Sequence, residues 1–275
     1  MKTLEEYVKK HHDAIMLLLK IPPQLHTADS FYQLRLQIKK INAAFELVKF
    51  CEKDFRQKKI FKPYKTIFKQ AGKARELHVA ALMLNEYFIA GLLKNYQQYL
   101  DKLLAKEQAL FFSLVKVELI EALDKRYYKA HPSFASVDEH KVHRYIRINE
   151  NGIQKILREK DTGSTRLHDL RKQLKKVTYI CKGLKLEAYN QSGEQKDILS
   201  HLLGQWHDYE VTTGYLKKAL HLPSTSTIEK DELKKIISIF TAGKKSFLQQ
   251  INAAKAAPEF HLSHQHGVHK AAVAC

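Results

Sequence analysis

The stretch LHDLRKQLKKV (167–177) can be written beneath an earlier one, FYQLRLQIKKI (31–41), without a gap. Arg35 then falls on Arg171, Gln37 on Gln173, and Lys39-Lys40 on Lys175-Lys176. The apolar Leu34, Ile38 and Ile41 fall on Leu170, Leu174 and Val177. A second pair of blocks follows each of these at similar distance: QAGKARELHVAALML (70–84) and LLGQWHDYEVTTGYL (202–216). There Gly72 matches Gly204, Glu76 matches Asp208, and Val79 matches Val211. One such block arises easily in helical sequence. Two in the same order make duplication of one plan the better reading.

Spacing sorts the residues of each basic stretch onto two faces of a helix. In the second copy Leu170, Leu174, Val177, Cys181 and Leu184 recur at alternating intervals of four and three, which marks a core-facing stripe. His168, Arg171, Lys172, Lys175 and Lys182 fall on the other side, with Lys176 at its edge. In the first copy the stripe is Leu34, Ile38, Ile41, Phe45 and Val48. Arg35 and Lys39 lie opposite it and Lys40 at the edge, while Tyr32 and Leu36 interrupt the basic face and predict a weaker first site. A solvated helix face normally mixes acid with base, because like charges one turn apart destabilise the helix by a few tenths of a kcal/mol per pair. An unneutralised cationic row is tolerable where a polyanion occupies it. Arg presents a planar fork to phosphate oxygens and Lys a mobile point charge.

The rest of the chain agrees with helix throughout. Of 275 residues only 10 are Gly and 6 are Pro, and no segment alternates apolar and polar residues as a strand does. The fold class expected is all-α: a two-lobed, duplicated helical bundle with about four or five helices per lobe. The first repeat covers 1–130, a linker 131–140, and the second repeat 141–257. A flexible His- and Ala-rich tail is expected over 258–275. Beyond the basic stretches, helices are expected near 3–19, 86–106, 108–128, 141–158 and 229–254, with STST (224–227) a loop. Ser30 and Gln33 have capping-box spacing before the first basic helix, and Gly163-Ser164-Thr165 offers caps before the second.

Lys and Arg total 47 against 29 Asp and Glu, a formal charge of +18. That excess draws polyanions at long range and points to nucleic acid, an anionic surface or a phosphate polymer as partner. The three cysteines are scattered and form no CxxC pair, so neither a disulfide framework nor a zinc module is indicated. The apolar run AIMLLL (14–19) is too short to span a bilayer, and no cleavable leader pattern precedes it, so a cytoplasmic location is expected. No cofactor or metal is expected. The tail histidines 261, 264, 266 and 269 offer metal ligands by composition only.

LHDLRKQLKK followed by LLGQWHDYEV resembles the CHAD domain, the conserved histidine α-helical domain. Its familiar pattern is a His-x-x-Arg-x-x-x-Arg/Lys-Arg/Lys helix, then a Leu-Gly-x-x-Arg-Asp-x-Asp-Val-like helix. The likeness extends over roughly 1–257. It implies a duplicated helical bundle that binds inorganic polyphosphate in a basic groove between its halves, often at polyphosphate granules. Carried over by position, it implies roles for His168, Arg171, Lys175 and Lys176, and in the first copy for Arg35, Lys39, Lys40 and Arg75. His207 stands where the pattern prefers Arg, and Tyr32 where it has histidine. Glu210 and His78 replace the later Asp. The candidate binding residues are therefore Arg35, Lys39, Lys40, Arg75, His168, Arg171, Lys172, Lys175, Lys176, Lys182 and His207.

Two other readings compete. The dipeptides His168-Asp169 and His207-Asp208 suggest an HD-type metal-dependent phosphohydrolase, but the first copy has Tyr32-Gln33 and Arg75-Glu76 at those positions. Nucleic-acid binding would use the same charge, with aromatic residues stacking bases, although Phe45, Phe50, Phe111 and Phe112 sit at core spacing. Neither the alternating glutamates of a polyphosphate-cleaving tunnel enzyme nor a Walker GxxxxGK[ST] loop occurs. Catalysis is not expected.

Overall fold

The computed structural model describes residues 2–159, 162–186 and 193–255. The chain is all-α, and no strand occurs among the described residues. In order the helices are α1 (Lys2–Leu19), α2 (Ala28–Cys51), α3 (Gln57–Met83), α4 (Asn85–Ile89), α5 (Lys94–Leu114), α6 (Val117–Ala130), α7 (Glu139–Leu157), α8 (Ser164–Gly183), α9 (Gly193–Ala219) and α10 (Thr227–Lys255). Short 3-10 turns occupy Pro23–Leu25 and His131–Ser136. No described helix is long and apolar enough to cross a membrane.

The two quoted stretches become the central helices α2 and α8. Every stripe residue named for them, from Leu34 to Val48 and from Leu170 to Leu184, is buried. α2 packs on α3 and α8, α8 on α9, and α3 on α9, so these four helices surround a common space. The core is not confined to either copy. One cluster of buried side chains runs from Leu4 and Phe45 to Leu170, Trp206 and Ile251. A second joins Leu77 and Tyr96 to Leu216 and Phe240. This shared apolar burial is what fixes α2 and α3 against α8 and α9, and so fixes the cations on their facing sides relative to one another.

Several local expectations need correction. α2 begins earlier than Ser30 implied: Thr27 is the N-cap, its side chain accepts from the Ser30 backbone N–H, and Ser30 completes the capping box in place of Gln33. Gly163 precedes α8, but no side chain caps it. The helix expected over 86–106 is broken, because Gly91 adopts a left-handed φ of 70° that ends α4. The chain restarts as α5 at Lys94 and runs on to Leu114. The segment 131–140 is anchored by the buried Phe134 and Val137, and its 3-10 turn packs on α1, α2 and α6. The histidines after residue 258 lie outside the described residues.

Candidate functional site

Between α2 and α3 on one side and α8 on the other lies a cavity of about 330 Å³, lined by Lys39, Phe61, Phe68, Arg171, Lys175 and Tyr179 among others. It continues into a narrower chamber of about 70 Å³, where Arg35, Arg75 and His207 join the lining. Lys39, Arg171, Lys175 and Tyr179 border both spaces. The duplicated positions thus meet: Arg35 and Lys39 from α2 face Arg171 and Lys175 from α8.

Their charge is poorly opposed. Arg75 makes a two-pronged ion pair to Asp208 across the repeats, with N–O distances of 3.0 and 3.3 Å. Glu76 borders the same chamber, and burial raises its carboxyl above the ordinary range. No ion pair reaches Arg35, Lys39, Arg171 or Lys175 among the described residues. The consequences appear in their acidities. Burial, followed by Lys175, Arg171, Arg35 and Arg75, pulls the Lys39 ammonium down to about 6. Burial and then Arg171 and Arg75 pull Lys175 down to about 8. Arg35 falls to about 10, chiefly through burial. A buried charge without a partner is unfavourable, and the protein here sheds it by losing a proton.

Packing holds Arg35 in place. Its guanidinium lies 4.1 Å from the centre of the Phe68 ring and donates to the Phe68 carbonyl at 2.7 Å. Gly72 makes this possible, since a Cβ there would stand 2.1 Å from Arg35 Nη1. The matching Gly204 has nothing within 4 Å of its Cβ position, so no side chain packs against it as Arg35 does against Gly72. Arg171 is held differently. Its Nε and the Nδ1 of His207 are buried with no hydrogen-bond partner among the described residues. Burial, then Arg171 and His168, lower His207 to about 4 and keep it neutral at ordinary pH.

The remaining candidates spread out from this centre. Lys172 and Lys176 line the wider cavity, Lys172 beside Asp169 at 3.7 Å and Lys176 paired with Glu46. His168 borders neither space. It pairs with Glu210 at 2.8 Å and packs on Trp206 and His207. Lys40 lies on the α1 side of α2, beside Lys10 and His11, away from the cavity. Lys182 pairs with Asp197 at 2.7 Å, also away from it. Tyr32 and Leu36 do not merely interrupt a face; they line the narrow chamber. Sequence reasoning passes over Phe61, Phe68 and Tyr179. Tyr179 is recoverable, because it follows Arg171 and Lys175 at intervals of four on one face of α8.

His168, His207 and Glu210 place three ligand atoms within 4.8 Å of one another, a possible cation set. Neither aspartate of the His-Asp dipeptides belongs to that set: Asp169 lies beside Lys172, and Asp208 pairs with Arg75.

These helices and this cavity define an all-helical domain with a cationic centre lined by α2, α3, α8 and α9. The profile of the CHAD domain matches residues 17–217, and the chain belongs to that family. Among solved structures it is similar to the CHAD domain from the plant Ricinus communis, at 12% identity and a TM-score of 0.74, covering 94% of this chain and 88% of that one. It is also similar to PptA from Streptomyces chartreusis, at 11% identity and a TM-score of 0.59, covering 96% and 98%. No curated protein matches it in sequence.

Proposed function

We propose that this protein binds inorganic polyphosphate, without cleaving it, in the cavity formed by α2, α3, α8 and α9. The observation that carries this reading is Lys39, packed among Arg35, Arg75, Arg171 and Lys175 with no carboxylate of its own. Such crowding is unfavourable in the empty protein and is relieved by a chain of phosphates. Phosphate oxygens also supply acceptors for the unpartnered Nε of Arg171. Polyphosphate has no base edges to read, so recognition rests on charge density and chain length. Many individually weak contacts on one tethered ligand add up to avidity. Binding of this kind would place the protein wherever polyphosphate accumulates, cytoplasmic granules included.

Single-stranded nucleic acid carries the same charge but also needs free aromatic faces. Here Phe45 and Phe111 are buried in the core, Phe61 stacks on Tyr64, and one face of Phe68 is covered by Arg35. The cavity therefore suits a ligand without bases.

The test is a titration of long-chain polyphosphate into the wild-type protein and into the Arg171→Ala/Lys175→Ala double variant. Helicity followed by circular dichroism should be unchanged. Affinity should drop by more than tenfold, since charge-assisted contacts contribute about 1.5–3 kcal/mol each. An affinity equal to the wild type's would reject this cavity as the binding site.

A further inference from the structure

The long helix α3 turns one strip toward the cavity and a different strip toward solvent. Phe61, Phe68 and Arg75 belong to the first. Lys58, Lys62, Lys65 and Lys69 belong to the second, all exposed. Helix geometry sets the two strips roughly a quarter turn apart, so the lysine row runs along the α3 lip of the cavity for about 17 Å. From Gln57 to Arg75 the sequence contains no acidic residue. None of the four lysines has an ion-pair partner among the described residues. The row ends where Lys73 is neutralised by Glu107 at 3.3 Å.

At its other end the row opens into a hollow of about 500 Å³, lined by Lys49, Lys53, Arg56, Lys58 and Lys59, with Asp54 as the single acid in the lining. The start of α3 is itself built with the wrong sign of charge. Its first turn holds no acidic residue, Arg56 at the N-cap makes no capping bond, and Lys58 and Lys59 follow at once. Helices favour negative charge at that end, because the macrodipole places partial positive charge there. Cations gathered there repel the helix end as well as one another.

We propose that this lysine row and the hollow at its end are an exterior extension of the polyanion site, holding the part of a long polyphosphate chain that emerges from the cavity. The inference rests on the cavity reading above. The exterior row has a role separate from the cavity's. The cavity binds phosphates of any chain length, and the row adds contacts only for chains long enough to reach it. Long chains are thereby preferred over short ones.

The experiment compares inorganic tripolyphosphate with long-chain polyphosphate over a range of ionic strength. The proteins are the wild type, the Lys58→Gln/Lys62→Gln/Lys65→Gln/Lys69→Gln variant, and a Lys230→Gln/Lys234→Gln/Lys235→Gln/Lys245→Gln control on α10. If each lost phosphate contact removes about 0.7 from the log–log salt slope, the α3 variant should show a slope about 3 smaller with long chains. Its tripolyphosphate affinity should be unchanged, and the α10 control should behave as wild type with both ligands. Wild-type long-chain binding that persists with the same slope in the α3 variant overturns the extension and leaves the cavity standing. Equal losses for both chain lengths, or an equal loss in the α10 control, overturn it as well. Failure of the wild type to bind either ligand instead overturns the cavity reading.

Discussion

Polyphosphate binding should carry protons into the protein, and Lys39 is where most of them go. In the empty cavity its ammonium titrates near about 6 and that of Lys175 near about 8. Near pH 7.5 Lys39 is then almost wholly neutral, and about a quarter of Lys175 is neutral. A phosphate placed beside either one favours the charged form and returns it toward its ordinary range. Uptake near pH 7.5 should be about one proton per occupied site, and nearly two close to pH 8.5. Affinity should therefore climb as pH falls from about 9 to 6, then level off below about 5, where both lysines are already charged. Isothermal titration calorimetry in buffers of different ionisation enthalpy counts these protons directly. The Lys39→Met variant should lose about one of them near pH 7.5, and the difference between variant and wild type cancels any titration of the ligand itself. Equal heats in every buffer for both proteins, or equal uptake by both, would refute the assignment of Lys39 as a charge recruited by the ligand.

The same residue shapes the stability of the unliganded fold. An unfolded lysine holds its proton up to about 10.4, whereas Lys39 in the fold releases it near about 6. Between those values the unfolded chain binds more protons, so wild-type stability rises with pH across this window. Lys39→Met should raise the melting temperature, more near pH 6.5 than near pH 9; a constant offset by differential scanning fluorimetry contradicts this. Asp208→Asn removes the carboxylate that occupies Arg75 and should tighten polyphosphate binding severalfold; weaker binding in a filter assay would show that Arg75 needs Asp208 for its position. Gly204→Ala should stabilise the protein by up to about 1 kcal/mol, as expected for an open mid-helix site. Gly72→Ala should give no such gain, because its methyl group displaces Arg35 from Phe68; equal urea midpoints for the two variants would contradict the close approach at Gly72.

How far the sequence leads depends on whether a feature is local. The apolar stripes of α2 and α8 recur every three or four residues, so their buried faces are readable without any partner in view. The opposite faces are readable too, but that Arg35, Lys39, Arg171 and Lys175 line one chamber is seen only in the fold. Residues at the edge of a stripe are another matter. Lys40 and Lys176 occupy matching positions, but α1 packs beside the first and Glu46 beside the second, so one leaves the cavity and the other lines it. That difference belongs to the tertiary neighbours, not to the helix. The pairing of Arg75 with Asp208 joins residues far apart in the chain, and neither copy alone reveals it. Thr27 escapes notice as the cap of α2 because Ser30 and Gln33 show the same spacing signal three residues later.

The central claim is that cations of both copies act together on one phosphate chain, and the ionic-strength dependence of wild-type affinity for long-chain polyphosphate tests it most directly. Contacts from Arg35, Lys39, Arg75, Arg171 and Lys175 predict a log–log slope of at least about 3 in magnitude. A slope near zero, or affinity that persists undiminished at high salt, would contradict the account.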